Sequence, residues 1–378
     1  MTVTQIASLL NTINAQYTQD IALVQEDLSN IVDVGTAVFN SSWKDNYVKS
    51  LIDQIGKMVF VNRPYQGFAP SILRSNWEYG SILAKVRTKD FDAKVNPSWS
   101  LTPGTTVNQF EFNPPVVSQT FWNHKEAWQV DCSFAEEQAK SALRSAGQAN
   151  EFVNMIETII YNSRNTKLDA LAMRAINNFT GEKLDANNGV IKVLTEYNAA
   201  YPGASLTAAA APYDQSFLRF LAYTILDLKD RLKVRSEIYN MNATGYPTAT
   251  TNDYLHVLLN SAFGRAMDVF LQSDTYHKEL TEIGAYETVP FWQGSGTAYT
   301  MADRTSIDIK LASDNTKIVT KSYIIGVLYD HDAIAMNNEN LRTTSAYNAN
   351  GEYYNNFYKC ETSIMNDTSE NGIVLLCE

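Results

Sequence analysis

The hydrophobic positions of this chain change period several times, and each change marks an element. Thr4 to Asn14 places Ile6, Leu9, Leu10 and Ile13 at helical spacing. Gln19 to Ile31 does the same with Ile21, Leu23, Val24, Leu28 and Ile31, up to a break at Val34-Gly35-Thr36. Helices this short bury such stripes only against another surface. Trp43 to Phe60 predicts a third helix, closed by Arg63-Pro64. Trp77 to Arg87 and Pro115 to Val130 then read as two long strands. The segment between them mixes Pro97, Pro103, Gly104 and Pro114 with Phe91, Trp99, Leu101, Phe110 and Phe112. A connection of about 27 residues is far longer than a usual hairpin turn, and large apolar side chains on a solvated loop predict a partner.

Ser133 to Glu136 has the form of a capping box and predicts a helix to about Ser145. From Gln148 to Phe179 the apolar residues hold helical spacing through Phe152, Ile156, Ile160, Leu168, Leu171, Ala175 and Ile176, with Gly181 placed to stop the helix. At 1.5 Å per residue that is a rod roughly 45 to 50 Å long. A strand at Asn187 to Leu194, a second long amphipathic helix at Tyr213 to Tyr239, a strand at Tyr254 to Leu259, a helix at Arg265 to Leu271 and strands near Ile283 to Trp292 and Ser306 to Ile318 make an α+β middle. The last part is strands and turns. Ser322 to Ala335 is β-branched and aromatic, Leu341 to Tyr347 turns at Asn348-Ala349-Asn350-Gly351 into Tyr353 to Met365, and Ile373 to Cys377 is an apolar strand.

Composition changes this picture in two ways. The chain of 378 residues is 45% hydrophobic but only 19% charged, with 21 Tyr, 16 Phe and 6 Trp, a balance that favours surface covered by contact with other chains. Its net charge is −11, and Met1 to Trp43 holds no Lys or Arg while carrying Asp20, Glu26, Asp27 and Asp33. Such an arm lacks the basic side chains that displace counterions from nucleic acid, and it lacks the basic start of a secretory signal. No apolar run reaches the roughly 18 residues of a membrane span, so no membrane is expected as a partner. Cys132, Cys360 and Cys377 are too far apart for a metal pair and odd in number, and read as reduced packing residues.

Catalytic chemistry finds little support. The phosphate-loop, dinucleotide, zinc-protease and hydrolase-elbow motifs are absent from the sequence. Asp330-His331-Asp332 is the best metal-like cluster, but alternation along a strand would send its side chains to opposite faces. Glu136-Glu137 fits the first turn of a helix, where negative charge is favoured. Asp227, Lys229, Asp230, Arg231 and Lys233 read as a solvated helix face, with salt bridges between subunits as the alternative. No catalytic residue, cofactor or metal is therefore expected.

The order of elements, with the texts Asp332-Ala333-Ile334-Ala335, Asn350-Gly351-Glu352-Tyr353 and Gly372-Ile373-Val374-Leu375, resembles the major capsid proteins of tailed bacteriophages. The resemblance implies an α+β, Hong Kong 97-like fold with an N-terminal arm at 1–60, an extended loop with its strands at 77–131, a peripheral domain with a long spine helix at 132–182 plus 336–378, and an axial domain at 183–335. It implies self-assembly through hexameric and pentameric capsomers into an icosahedral shell around double-stranded DNA, in a virion assembled in the cytoplasm of a bacterial host. Portal and scaffolding proteins, and the decoration proteins of some relatives, are the further partners it implies, with packaged DNA confined without sequence-specific binding. A fused scaffolding segment and a removed propeptide are not expected. Subunit contacts are expected at the arm stripe (Ile6, Leu9, Leu10, Ile13) and at the loop aromatics with their neighbour (Phe91, Trp99, Leu101, Phe110, Phe112). Lys85, Lys89 and Lys94 suggest the isopeptide cross-links of some relatives, but lysines on a loop are usually solvated. An encapsulin-like nanocompartment shell is the nearest alternative, and a carbohydrate-acting or carbohydrate-binding protein a more distant one.

Overall fold

A computed structural model describes residues 2–17, 22–62, 67–74, 83–96, 99, 102–104, 106, 110–123, 125–142, 144–242, 245–272, 285–290, 292–293, 301–302, 307–314 and 316–378. The chain divides into two compact units, one of residues 1–80, 125–172 and 336–363, the other of 81–124, 173–335 and 364–378.

In the first unit three helices precede the sheet: α1 (Val3–Tyr17), α2 (Ile31–Phe39) and α3 (Lys44–Asn62). α1 and α2 both pack on α3. The second predicted helix is displaced. Residues 22–25 are not helical: the Asn11 amide takes both backbone groups of Val24, accepting from its N–H at 2.7 Å and donating to its carbonyl at 2.9 Å. Leu28 then turns with a positive φ, and the helix begins only at Ile31, so Val34-Gly35-Thr36 lies inside it and breaks nothing. Arg63-Pro64 is outside the described residues.

The sheet of this unit has the order β1 (Leu73–Arg74), β13 (Ile334–Asn348), β14 (Tyr353–Asn366), β4 (Lys125–Ala135). β4 alternates strictly, with Trp128, Val130, Cys132 and Phe134 buried. α3 is tied to β14 by two tyrosines: Tyr358 donates to the Ile52 carbonyl at 2.8 Å and Tyr354 to Asp45 at 2.6 Å. Ser133 is a strand residue hydrogen-bonded to Asn355, so the expected capping box does not form, and α4 (Glu136–Ala142) starts three residues later with the Ala135 N–H held by Gln138.

The long helix α5 runs from Ala146 to Ala186, about 60 Å at the usual rise. Gly181 does not end it. A Cβ there would lie 2.7 Å from Ile309, so the glycine permits close packing of a later strand, and the stop comes from Asn187 in the left-handed region.

The second unit is built on a five-stranded sheet of order β5 (Val190–Lys192), β15 (Gly372–Leu376), β12 (Ile324–Asp330), β6 (Leu255–Asn260), β7 (Glu287–Val289). β12 and β15 are buried along their whole length, as their near-continuous apolar sequences require. α6 (Val193–Ala200), α7 (Gln215–Leu232) and α8 (Ser261–Gln272) contribute Leu194, Phe217, Leu221, Ile225, Leu228 and Phe263 to the core, beside Leu259, Leu328 and Leu375 of the sheet. The terminal strand thus belongs to this unit and not with β13 and β14. Ser322 to Ala335 is not one strand: β12 ends at Asp330, a turn follows, and β13 opens at Ile334. Ser306 to Ile318 likewise resolves into a hairpin of β10 (Ile307–Lys310) and β11 (Ile318–Lys321). A further short pair joins β8 (Trp292–Gln293) to β9 (Met301–Ala302).

Lys183, fully buried near the end of α5, is the notable charge of this core. Its Nζ donates to the Tyr239 carbonyl at 2.8 Å and to Asn188 at 3.0 Å, two acceptors for the two N–H groups of a neutral amine. Burial pushes its pKa down to about 7, with Asp367 pulling it back. An unfolded chain still holds that proton up to about pH 10.5, so stability rises with pH between about 7 and 10.5 and is flat with respect to this group below 7. Lys183→Met is expected to remove that rise, seen as urea midpoints that no longer increase from pH 7 to 9.5; a midpoint curve identical to wild type would contradict this.

Candidate subunit interface

β2 (Leu83–Thr88) and β3 (Val117–Trp122) form an antiparallel hairpin stem in the second unit. The predicted long second strand is therefore two strands. It is interrupted at Asn123, and β3 and β4 join different sheets. The segment joining β2 to β3 carries the predicted aromatics: Phe91 is 65% exposed, Trp99 88%, Phe110 88% and Phe112 84%. Leu101 lies outside the described residues. Burial of one such side chain stabilises by roughly 1.5–3 kcal/mol, which the isolated subunit forgoes at each of these positions.

The stem is held by charge. Lys85 donates to Asp367 at 3.0 Å and also to Glu370, while Arg87 reaches Glu370, the Ser369 carbonyl at 3.1 Å and Asp367 at 3.4 Å. Trp122 adds a bond from its indole N–H to the Asn366 carbonyl at 3.1 Å. The Asp367 side chain is 3% exposed and that of Glu370 12%. Burial pushes the Glu370 carboxyl above the usual carboxylate range, and Lys85 and then Arg87 pull it back. Beyond the stem, Asp90 pairs with Arg235 at 2.5 Å and Lys94 with Glu111 at 2.8 Å. Lys85 and Lys94 are thus engaged in ion pairs. The sequence reading missed this clasp, although the alternation Lys85-Val86-Arg87 against the acidic turn Asp367 to Glu370 carried its signal.

The arm stripe is a correction. Ile6, Leu9, Leu10 and Ile13 are at most 8% exposed, buried in the subunit itself where α1 packs on α3. They leave no surface for a neighbour, because three short helices folded together satisfy the stripe that an isolated one could not. The loop aromatics are the expected contact residues that remain exposed.

No group of three or more metal-binding side chains occurs among the described residues, and no described helix is long and apolar enough to cross a membrane. Asp330 accepts from Thr250 at 2.6 Å, whereas His331, in the turn rather than in a strand, faces His256 at 2.9 Å, so the two side chains serve different neighbours. None of the three cysteines is in a disulfide, and all are buried. Asp227 pairs with Arg231 and Asp230 with Lys233 along the exposed side of α7.

The model of the Phi29-like phage major capsid protein family matches residues 6–376. This chain belongs to that family. Two solved structures share its fold at very low identity. A chain of the capsid structure of Staphylococcus phage Andhra is 8% identical, with a TM-score of 0.54 over 81% of this chain and 82% of that one. A chain in the structure of the head fiber and inner core protein gp22 of native bacteriophage P68 is 10% identical, with a TM-score of 0.52 over 81% and 83%. No curated protein matches. The fold is α+β and Hong Kong 97-like, and the chain is a phage major capsid protein, a structural component of the capsid that assembles with itself. The nanocompartment and carbohydrate alternatives find no support beside a family match over nearly the whole chain.

Proposed function

We propose that copies of this capsid protein form hexamers and pentamers that close into an icosahedral shell around double-stranded DNA, and that the extended hairpin supplies a principal contact between copies. The observation that carries this reading is the exposure of Phe91, Trp99, Phe110 and Phe112 between β2 and β3 in a chain from a capsid family. A net charge of −11 fits a wall that confines phosphate by closure rather than by attraction, so its strength rests on contacts between subunits. The first unit, with its helical arm, the sheet of β14 and β4 and the larger part of α5, fits the peripheral domain; the second fits the axial domain with the hairpin attached. Assembly in the host cytoplasm with portal and scaffolding proteins, and decoration proteins where a phage carries them, completes the proposal. The shell is a mechanical device in this reading and performs no catalysis.

Expression of the full chain followed by sedimentation and negative-stain electron microscopy tests the proposal. Closed particles of uniform diameter are the expected result, and a chain that stays monomeric at high concentration, with or without a scaffolding partner, would overturn it.

A further inference from the structure

Two of the four histidines, 75 residues apart in sequence, meet where β12 ends. In the ladder of β6 and β12, His256 stands opposite Tyr329, so His331, two residues further on, is its diagonal neighbour, within reach of a ring across the strands. Backbone bonds hold His331 in place. Its N–H donates to the Tyr254 carbonyl at 2.7 Å, and its turn is closed by the Ala333 N–H on the Asp330 carbonyl and the Asp332 N–H on the Asp330 side chain, each at 2.8 Å. The rings lie 5.2 Å apart, with Tyr329 5.5 Å from His256 and Tyr254 6.1 Å from His331. Both histidines are half-buried, so solvent reaches the pair. His256 Nε2 and His331 Nδ1 face each other at 2.9 Å. Two imidazole nitrogens that each lie about 2.05 Å from one ion are about 2.9 Å apart at a right angle and about 3.4 Å apart at the tetrahedral angle. The observed separation is that of neighbouring ligands in a square or octahedral shell.

We propose that His256 and His331 form a two-histidine chelate for a divalent transition metal of the Cu²⁺ or Ni²⁺ kind, with water in the remaining positions. In the structure one ring gives its N–H to the other across the gap. With both protons on the far ring nitrogens, a turn of the two rings brings both lone pairs onto one ion. Neutral imidazole suits these metals, and Cu²⁺ stands above Ni²⁺ and Zn²⁺ in general affinity order. Hard cations such as Mg²⁺ and Ca²⁺ prefer oxygen and are not expected here. The bound ion ties β6 to the turn after β12. Because the pair is assembled only by folding, the metal stabilises the folded chain.

Titration of the full chain with CuCl₂ and, separately, with NiCl₂ tests this. The tightest site should prefer Cu²⁺, and both His256→Gln and His331→Gln should weaken it roughly tenfold or more, because a lone imidazole loses the advantage of the second. Binding should be present at about pH 7.5 and lost at about pH 5, where imidazoles carry protons. A tightest site that survives either substitution lies elsewhere and overturns the inference, as does a wild-type chain that binds both metals no better than the double Gln variant. Should a variant fail to fold, pulsed electron paramagnetic resonance of Cu²⁺ on the wild-type chain decides the matter: two coordinated imidazoles support the inference, and one or none overturns it. The result is independent of whether the chain forms particles, so it stands or falls apart from the shell reading.

Discussion

Trp99→Ala combined with Phe112→Ala is expected to leave the subunit's urea midpoint unchanged and to abolish closed particles. Both side chains are more than four-fifths exposed, so their removal takes almost nothing from the core. In the proposed shell contact each buries against a neighbour, at roughly 1.5–3 kcal/mol per side chain. Losing two costs about 3–6 kcal/mol per contact, which weakens that contact about 10²- to 10⁴-fold at 1.4 kcal/mol per tenfold. The same contact recurs around the whole wall, so the loss is multiplied at every interface. Sedimentation and electron microscopy beside a denaturation curve separate assembly from folding. Wild-type particle yield and heat resistance in the double variant would remove the loop from the interface.

Gly326→Ala is expected to do the opposite, damaging the subunit before any assembly begins. Gly326 lies in β12, with β15 on one side and β6 on the other. A Cβ at this position would sit 2.3 Å from the carbonyl oxygen of Leu258 and 2.7 Å from the Leu259 side chain. The first of these is backbone in a paired strand and cannot withdraw without breaking the ladder. A loss of about 3 kcal/mol or more follows, near the upper end for overpacked cores. Gly147→Ala is the contrast: nothing lies within 4 Å of its added methyl, and in the first turn of α5 it should stabilise slightly. Soluble yield and urea midpoints of the two variants read the difference. Equal midpoints would show that the sheet accommodates a side chain at 326.

Much of the architecture was legible because its periodic segments are long. α5 and the β13–β14 hairpin stand close to where period and turn chemistry put them, since a buried rod and a paired ribbon leave few alternatives for Ile156, Ile160, Leu168 and Leu171, or for Asn348 to Gly351. The misplaced boundaries share a cause, a side chain acting at a distance in sequence. Asn11 unwinds the residues at Val24, thirteen positions away. Ser133 is drawn into a strand by β14, more than two hundred residues later. Gly181 is read by Ile309, not by the local helix. Of the proposed contact surface, the exposed loop aromatics were legible as apolar residues among prolines. The arm stripe deceived because helical spacing announces burial without saying whose surface provides it. The clasp stayed hidden because Lys85 and Arg87 find their carboxylates some 280 residues onward.

The exposed aromatic segment between β2 and β3 also shapes the life of a newly made copy. Before it assembles, each molecule displays a greasy strip in the open, of the kind that draws chaperones and seeds clumps. The phage therefore has a reason to keep the pool of loose copies small. Overproduction should yield precipitate long before it yields more heads.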